Sequence, residues 1–293
     1  MHHGTEDVPL SAEAVQAVLR TRELGQPLYL LDETSSTNTV AITLAQEGAG
    51  HGTTVVAERQ TAGRGRLGRM WFSPARVNLH CSVVWRHIPT PSRLPSWLSW
   101  APLASAVAAA HAIQRVDTLP VGLKWPNDLL VGHRKLGGIL CESGGSAHAG
   151  SGGGMFLIIG IGVNVNVPSE QFPEDLRSLA TSLLAETGRR QDRARLLGAL
   201  LEELERWHTT LFTDGHRDVA LEYRTLCRTL GQRVRIALAG QGDVEGLAEA
   251  VDEDGALVVR PQTPGTSPSD GGSIRIRAGD IVHLRGPGSP SHT

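Results

Sequence analysis

Apolar residues recur at two different spacings along this chain, and each change of spacing marks an element. Residues 192–212 carry the clearest helical pattern, with Leu196, Leu200, Leu204, Trp207 and Leu211 stepping by three and four along one face. Residues 97–115 predict an alanine-rich, buried helix, and Ser11–Leu24 a short amphipathic one capped by Ser11 and stopped at Gly25. The hydroxyls of Ser35-Ser36-Thr37 cap a further helix that carries Ala41, Leu44 and Ala45 on one side.

Between these helices lie strand-like runs: Tyr29–Thr34, Thr53–Glu58, the alternating Asn78–Trp85, Leu123–Trp125, Leu129–Val131 and Met155–Asn166. Gly132-His-Arg makes a hairpin turn into Lys135–Glu142. The stretches Ser143–Gly154 and Pro261–Gly272 read as flexible connections, and the tail beyond Arg285 as disordered. From Gly231 the period shortens to five alternating strands with Gly- and Asp-rich turns, the pattern of a small barrel. Helices and strands mix without regular alternation, so an α+β core is expected rather than a doubly wound sheet.

Composition narrows the class. The chain has 293 residues, 40% hydrophobic and 20% charged, with a formal net charge of -2, which argues against a general nucleic-acid coat. The charge is unevenly spread, since no carboxylate occurs between Glu58 and Asp117 while arginines do. That span therefore carries a local positive field. Three widely spaced cysteines (Cys81, Cys141, Cys227) form no disulfide framework and fit a reducing cytosol. The N-terminus lacks the apolar core of a signal peptide, and no apolar run reaches membrane-spanning length. His2 and His3 read as incidental.

Within the positive span, Gln60–Ser73 sets Arg64, Arg66 and Arg69 among Gly63, Gly65 and Gly68. The glycine spacing matches the dinucleotide fingerprint, but that motif requires a following helix and an acidic residue about 20 positions on. Met70-Trp-Phe-Ser-Pro74 follows instead, and no acidic residue does. The run is a cationic loop on a permissive backbone, suited to fold over an anion.

Five patterns stand in order: Glu33-Thr-Ser-Ser-Thr-Asn38, Gln60-Thr-Ala-Gly-Arg-Gly-Arg66, Lys124-Trp-Pro-Asn-Asp128, Arg134-Lys-Leu-Gly-Gly-Ile-Leu140 and Gly160-Ile-Gly-Val-Asn-Val-Asn166. Together, over roughly Tyr29–Arg285, they closely resemble biotin protein ligases. The resemblance implies a mixed-sheet catalytic core like that of class II aminoacyl-tRNA synthetases and biotin–lipoate ligases, plus a small C-terminal SH3-like β-barrel. It divides the chain into an N-terminal helical extension (1–27), a biotin- and ATP-binding domain (28–226), the barrel (227–286) and a tail (287–293). It also implies the reaction: biotin and ATP give biotinyl-5'-AMP and pyrophosphate, and a lysine of a biotin carboxyl carrier protein or domain then takes the biotin.

The chemistry agrees with the supply of residues. A carboxylate approaching a triphosphate meets like-charge repulsion, so cations must line the meeting point. The resemblance assigns catalysis to Lys135, Arg66, Lys124 and Asp128. It assigns biotin to Ser36, Thr37, Asn38, Gln60, Gly63, Arg64, Gly65, Arg66, Lys135 and Gly138. The nucleotide falls to Arg66, Arg69, Trp71, Lys124, Asn127, Lys135, Asn164 and Asn166. Read singly, each has a plainer meaning: Ser36–Asn38 as helix caps, Lys135 as a solvated hairpin lysine, Asp128 as a turn residue, Asn164 and Asn166 as bulge markers. No protein metal site is expected, because neither His-Glu-x-x-His nor Cys-x-x-Cys occurs, and Mg²⁺ arrives with ATP.

Two rival readings remain on the residues. A lipoate–protein ligase shares the fold, but the Ser-Ser-Thr-Asn cluster and Gln60 suit a ureido ring better than a dithiolane. A single-stranded nucleic-acid module would use the basic loop and barrel, yet aromatic content is only 4%. Only about thirty residues precede Tyr29, so a ligase without sequence-specific DNA binding is expected, cytoplasmic and off the membrane. Monomer and homodimer are equally compatible with the sequence.

Overall fold

A computed structural model describes residues 8–145, 154–238, 242–261, 272–277 and 280–284. Most of the two connections assigned above as flexible, the C-terminal tail, and His2 and His3 lie outside the described residues.

A seven-stranded mixed sheet organises the larger part of the chain. Its strands are β1 (Leu28–Thr34), β2 (Thr54–Gln60), β3 (Leu79–Trp85), β4 (Gly122–Lys124), β5 (Asp128–Val131), β6 (Arg134–Gly145) and β7 (Met155–Val163), in the order β1-β2-β3-β7-β6-β5-β4. Only β1 and β2 run parallel; the other pairs are antiparallel, as an α+β core requires. Helices α1 (Ala12–Val18), α2 (Thr37–Gln46), α3 (Leu94–Val116), α4 (Glu174–Arg177), α5 (Leu183–Thr187), α6 (Arg193–Thr213) and α7 (Arg217–Leu226) cover it.

Strand alternation divides the sheet into two faces. On one, Val55, Val84, Phe156 and Ile158 pack with Ala41 and Ala45 of α2. On the other, Cys81, Val83, Ile159 and Ile161 join the main core, with Trp100, Leu103 and Val107 of α3 and Leu197, Leu200 and Leu204 of α6. Strand β3 was expected to alternate buried and open positions, but with both faces covered every one of its residues is buried.

Two helices differ from expectation. The first ends at Val18 rather than Leu24, because Glu205 of α6 accepts the backbone N–H groups of Arg22, Glu23 and Leu24 at 2.8, 2.8 and 3.2 Å. That tertiary capture outcompetes continuation of the helix. Helix α7 was not anticipated; it buries Val219, Ala220 and Tyr223, with Leu226 half-buried against the core.

Strands β8 (Arg233–Leu238), β9 (Gly242–Val251), β10 (Leu257–Pro261), β11 (Ile274–Ile276) and β12 (Asp280–His283) form a separate antiparallel sheet, ordered β11-β10-β9-β8-β12. Its β9–β10 hairpin meets the larger core through two indoles. Trp100 Nε1 donates to Glu253 O at 2.8 Å, and Trp125 Nε1 to Gly255 O at 3.0 Å. Thr229 Oγ1 accepts the Trp125 backbone N–H at 3.0 Å and meets His283 Nε2 at 3.1 Å. The imidazole of His283 is held at about 4, by partial burial first and then by the Lys124 ammonium.

Candidate active site

The α2 face of the sheet lacks side chains where β6 and β7 pass one another. Gly138 pairs with Gly162 and Leu140 with Gly160, so a shallow floor of backbone opens beside the N-terminus of α2. Neighbouring groups already use that space. A Cβ at Gly160 would come within 2.0 Å of Asn38 Oδ1, and one at Gly162 within 2.8 Å of the Trp71 ring.

Ser36, Thr37 and Asn38 are buried at the start of α2, and Ser36, in the N-cap position, makes no side-chain cap bond. Capping therefore does not account for the cluster. Gln60 Oε1 accepts from Thr37 N at 2.8 Å and from Thr37 Oγ1 at 3.2 Å. Ser82 Oγ of β3 lies 2.8 Å from Thr37 Oγ1 and 2.6 Å from Asn38 Oδ1, and its single hydrogen goes to the amide oxygen. Asn38 Nδ2 in turn donates to Leu140 O at 3.1 Å and Glu142 Oε2 at 2.7 Å. This polar network is closed on the protein side and open toward the glycine floor.

The arginine-glycine loop folds back on itself. Trp71 N donates to Gly63 O at 2.9 Å and Gly65 N to Arg69 O at 2.7 Å, with Leu67 in the left-handed region at φ 56 and Gly68 at φ 73. Arg64 reaches Glu142 at 3.1 Å, and Arg66 Nη1 donates to Asn127 Oδ1 at 3.4 Å. Arg69 is exposed at the loop's end.

Lys135 opens β6, pinned on both sides by backbone bonds to Leu179 O (2.7 Å) and from Thr181 N (2.9 Å). Its Nζ lies 2.5 Å from Asp128 Oδ1 and 5.6 Å from the centre of the Trp71 ring. Lys124 stands opposite Asp128 on the β4–β5 rung. Asn127 Nδ2 donates to Ile139 O at 2.9 Å, which holds the turn against β6. The structure thus brings Lys124, Asp128, Lys135, Arg66 and Trp71 around one end of the glycine floor and Asn38, Gln60 and Arg64 around the other. A cavity of about 230 Å³ adjoins Arg66 and Asn127, between α3, β6 and the Gly255 turn of the smaller sheet.

Asn164 and Asn166 lie just past β7 with their amides engaged by protein. Asn164 meets Asn78 and Thr181 O, and Asn166 exchanges bonds with the Gln191 backbone at 2.9 and 2.8 Å. Sequence reasoning missed Ser82 and Glu142. It also passed over a simple count: of 28 Lys and Arg residues only Lys124 and Lys135 are lysine, and both are here.

One cluster elsewhere has ligand-type atoms close together. Glu23, His51 and His87 offer donors within 4.8 Å of one another. Two observations argue against a metal there. His51 Nδ1 already accepts the Arg86 N–H at 3.1 Å, which leaves the proton on Nε2, and the two rings stack at 3.9 Å so that their lone pairs do not converge.

Comparison with known proteins matches this geometry. Residues 30–164 match the Biotin/lipoate A/B protein ligase family, and residues 229–284 the Biotin protein ligase C terminal domain. The biotin–[acetyl-CoA-carboxylase] ligase of Mycobacterium tuberculosis is 36% identical over 262 residues, covering 88% of this chain and 89% of that protein. The enzyme of the same name from Paracoccus denitrificans is 33% identical over 231 residues, 79% of this chain and 93% of that protein. The structure of biotin protein ligase from Aquifex aeolicus in complex with biotin and ATP superposes with a TM-score of 0.71 at 28% identity, covering 88% of this chain and 99% of that one. The chain belongs to the biotin protein ligase family.

Proposed function

We propose that this protein activates biotin with ATP to biotinyl-5'-AMP and transfers the biotinyl group to a lysine of a biotin carboxyl carrier protein or domain. The observation that carries the reading is the position of the chain's two lysines, on β4 and β6, the strands that flank β5 and its Asp128, at the end of the glycine floor that the arginine loop covers.

In the first step a biotin carboxylate oxygen attacks the α-phosphorus of ATP and pyrophosphate leaves. Lys135 and Arg66 offset the repulsion between the two anions, and Lys124 and Arg69 stand toward the phosphates. In the second step the acceptor amine attacks the acyl carbon, the C–O bond to AMP breaks, and an amide forms. Asp128, once released from Lys135, is placed to take the amine's proton. Ser36, Thr37, Asn38 and Gln60 supply hydrogen-bond partners for the ureido ring, with Gly63, Gly65 and Gly138 giving backbone room. Trp71 and Asn127 border the nucleotide, and Asn164 and Asn166 act through the loops they hold.

Helix α1 packs on α6 and buries Val15, which supports reading it as part of the ligase body. Among the described residues no helix is long and apolar enough to cross a membrane, and the three cysteines are free.

The test is biotin-dependent exchange of labelled pyrophosphate into ATP, followed by labelling of a carrier domain. Lys135→Ala is expected to lower exchange by roughly 10²–10³-fold. Exchange that proceeds equally without biotin would refute the function; an unimpaired Lys135→Ala would refute only that assignment.

A further inference from the structure

Glu142 lies on β6 beyond the glycine floor, seven positions after Lys135, and it touches two of the groups assigned to biotin. Its Oε2 accepts from Asn38 Nδ2 at 2.7 Å and from Arg64 Nη2 at 3.1 Å. Its side chain is 27% exposed, which limits screening of the charge by solvent.

A carboxamide has two donor hydrogens and two acceptor lone pairs. In Asn38 both hydrogens are committed, to Glu142 and to Leu140 O, and one lone pair of Oδ1 takes the Ser82 hydroxyl. A single acceptor position is left, on the oxygen packed against Gly160. The opposite orientation of the amide would set Oδ1 against a carboxylate and a carbonyl, neither of which can donate. Glu142 and Leu140 O therefore decide which end of Asn38 faces the pocket.

We propose that Glu142 is a positioning residue for biotin recognition: it locks the Asn38 carboxamide with its oxygen toward a ureido N–H, and it anchors Arg64 so that the loop and the ring share one carboxylate. An anionic acceptor on Nδ2 also polarises the amide, which makes Oδ1 a better acceptor for that N–H. The proposal rests on the reading above that the ureido ring lies beside Asn38. It adds a charged residue that never touches the substrate.

The experiment compares Glu142→Gln with the unmodified enzyme in biotin-dependent pyrophosphate exchange, using biotin and a biotin methylated on a ureido nitrogen. Glutamine keeps the size but offers a donor as readily as an acceptor, so it no longer forbids the flipped Asn38 and it cannot ion-pair with Arg64. The expected result is a rise of about tenfold in the KM for biotin with a smaller fall in kcat, the scale of one charge-assisted hydrogen bond. The preference for biotin over its N-methyl analogue is expected to shrink by a similar factor. A general structural defect would weaken both ligands equally. Equal weakening, or an unchanged KM for biotin, would overturn the proposal.

Glu142→Asp keeps the charge but shortens the reach, so it cannot hold Asn38 and Arg64 together. It is expected to lose discrimination partway, and full retention would also overturn the proposal. Absence of biotin-dependent exchange in the unmodified enzyme would instead refute the ligase reading itself.

Discussion

Acidification from pH 7.5 to 5.0 is expected to cost this fold about 4 kcal/mol through two imidazoles alone. His80 and His208 are buried, and burial, aided for His80 by the Arg193 guanidinium and for His208 by His51, holds them at about 4 and about 3. His208 accommodates only the neutral ring: Ser105 donates its own hydrogen to Ala101 O at 2.8 Å, so its oxygen accepts from Nε2 at 2.8 Å, and Nδ1 has no partner among the described residues. A second proton there would be buried without an acceptor.

The sign follows from linkage. These folded values lie below the unfolded value near 6.5, so between them the unfolded chain binds more protons and stability falls as pH falls. At pH 5 each group removes about 2 kcal/mol, nearly all of it gained below pH 7. His51 and His283, each held at about 4 mainly by burial, act in the same direction but are less enclosed. Urea unfolding at pH 7.5 and 5.0, at fixed ionic strength, measures the loss. His208→Leu is expected to lower stability at pH 7.5 while reducing the difference between the two pH values by about 2 kcal/mol. A wild-type difference under 1 kcal/mol, or a variant with the same difference, would refute the reasoning.

Two further outcomes concern named contacts. Gly160→Ala puts a methyl within 2.0 Å of Asn38 Oδ1 and must displace the carboxamide from Ser82 and Glu142, so steady-state kinetics are expected to show a rise of at least about tenfold in the KM for biotin. Arg193→Met takes the cationic partner from Glu58, which keeps the Leu10 N–H: the guanidinium, 4% exposed, holds both carboxylate oxygens and the carbonyls of Asn78 and Val8, and its loss is expected to cost about 3–5 kcal/mol in chemical denaturation.

The long elements were legible because their own side chains make them. Leu196, Leu200 and Leu204 declare α6 without reference to anything else, and Ala41 and Ala45 declare the buried side of α2. What stayed hidden depends on partners far along the chain. The early end of α1 is decided by Glu205, some 180 residues away, whereas the apolar face of α7, Val219, Ala220, Tyr223 and Leu226, has helical spacing and was open to reading. Motif order located the site, but not its internal wiring. Ser82 and Glu142 sit in ordinary strand sequence and gain meaning only when β3 and β6 meet Asn38. Asn164 and Asn166 stood out beside glycines, yet nothing local told that Thr181 and Gln191 would bond their amides.

An acyl-adenylate modifies whatever primary amine it meets, and this polypeptide presents almost none. With lysine confined to positions 124 and 135, the other permanently charged side-chain cations are guanidinium groups that do not form the amide, so intermediate that escapes finds few amines on the protein's own exterior. Any stable biotin amide on a side chain of this protein must therefore sit on Lys124 or Lys135.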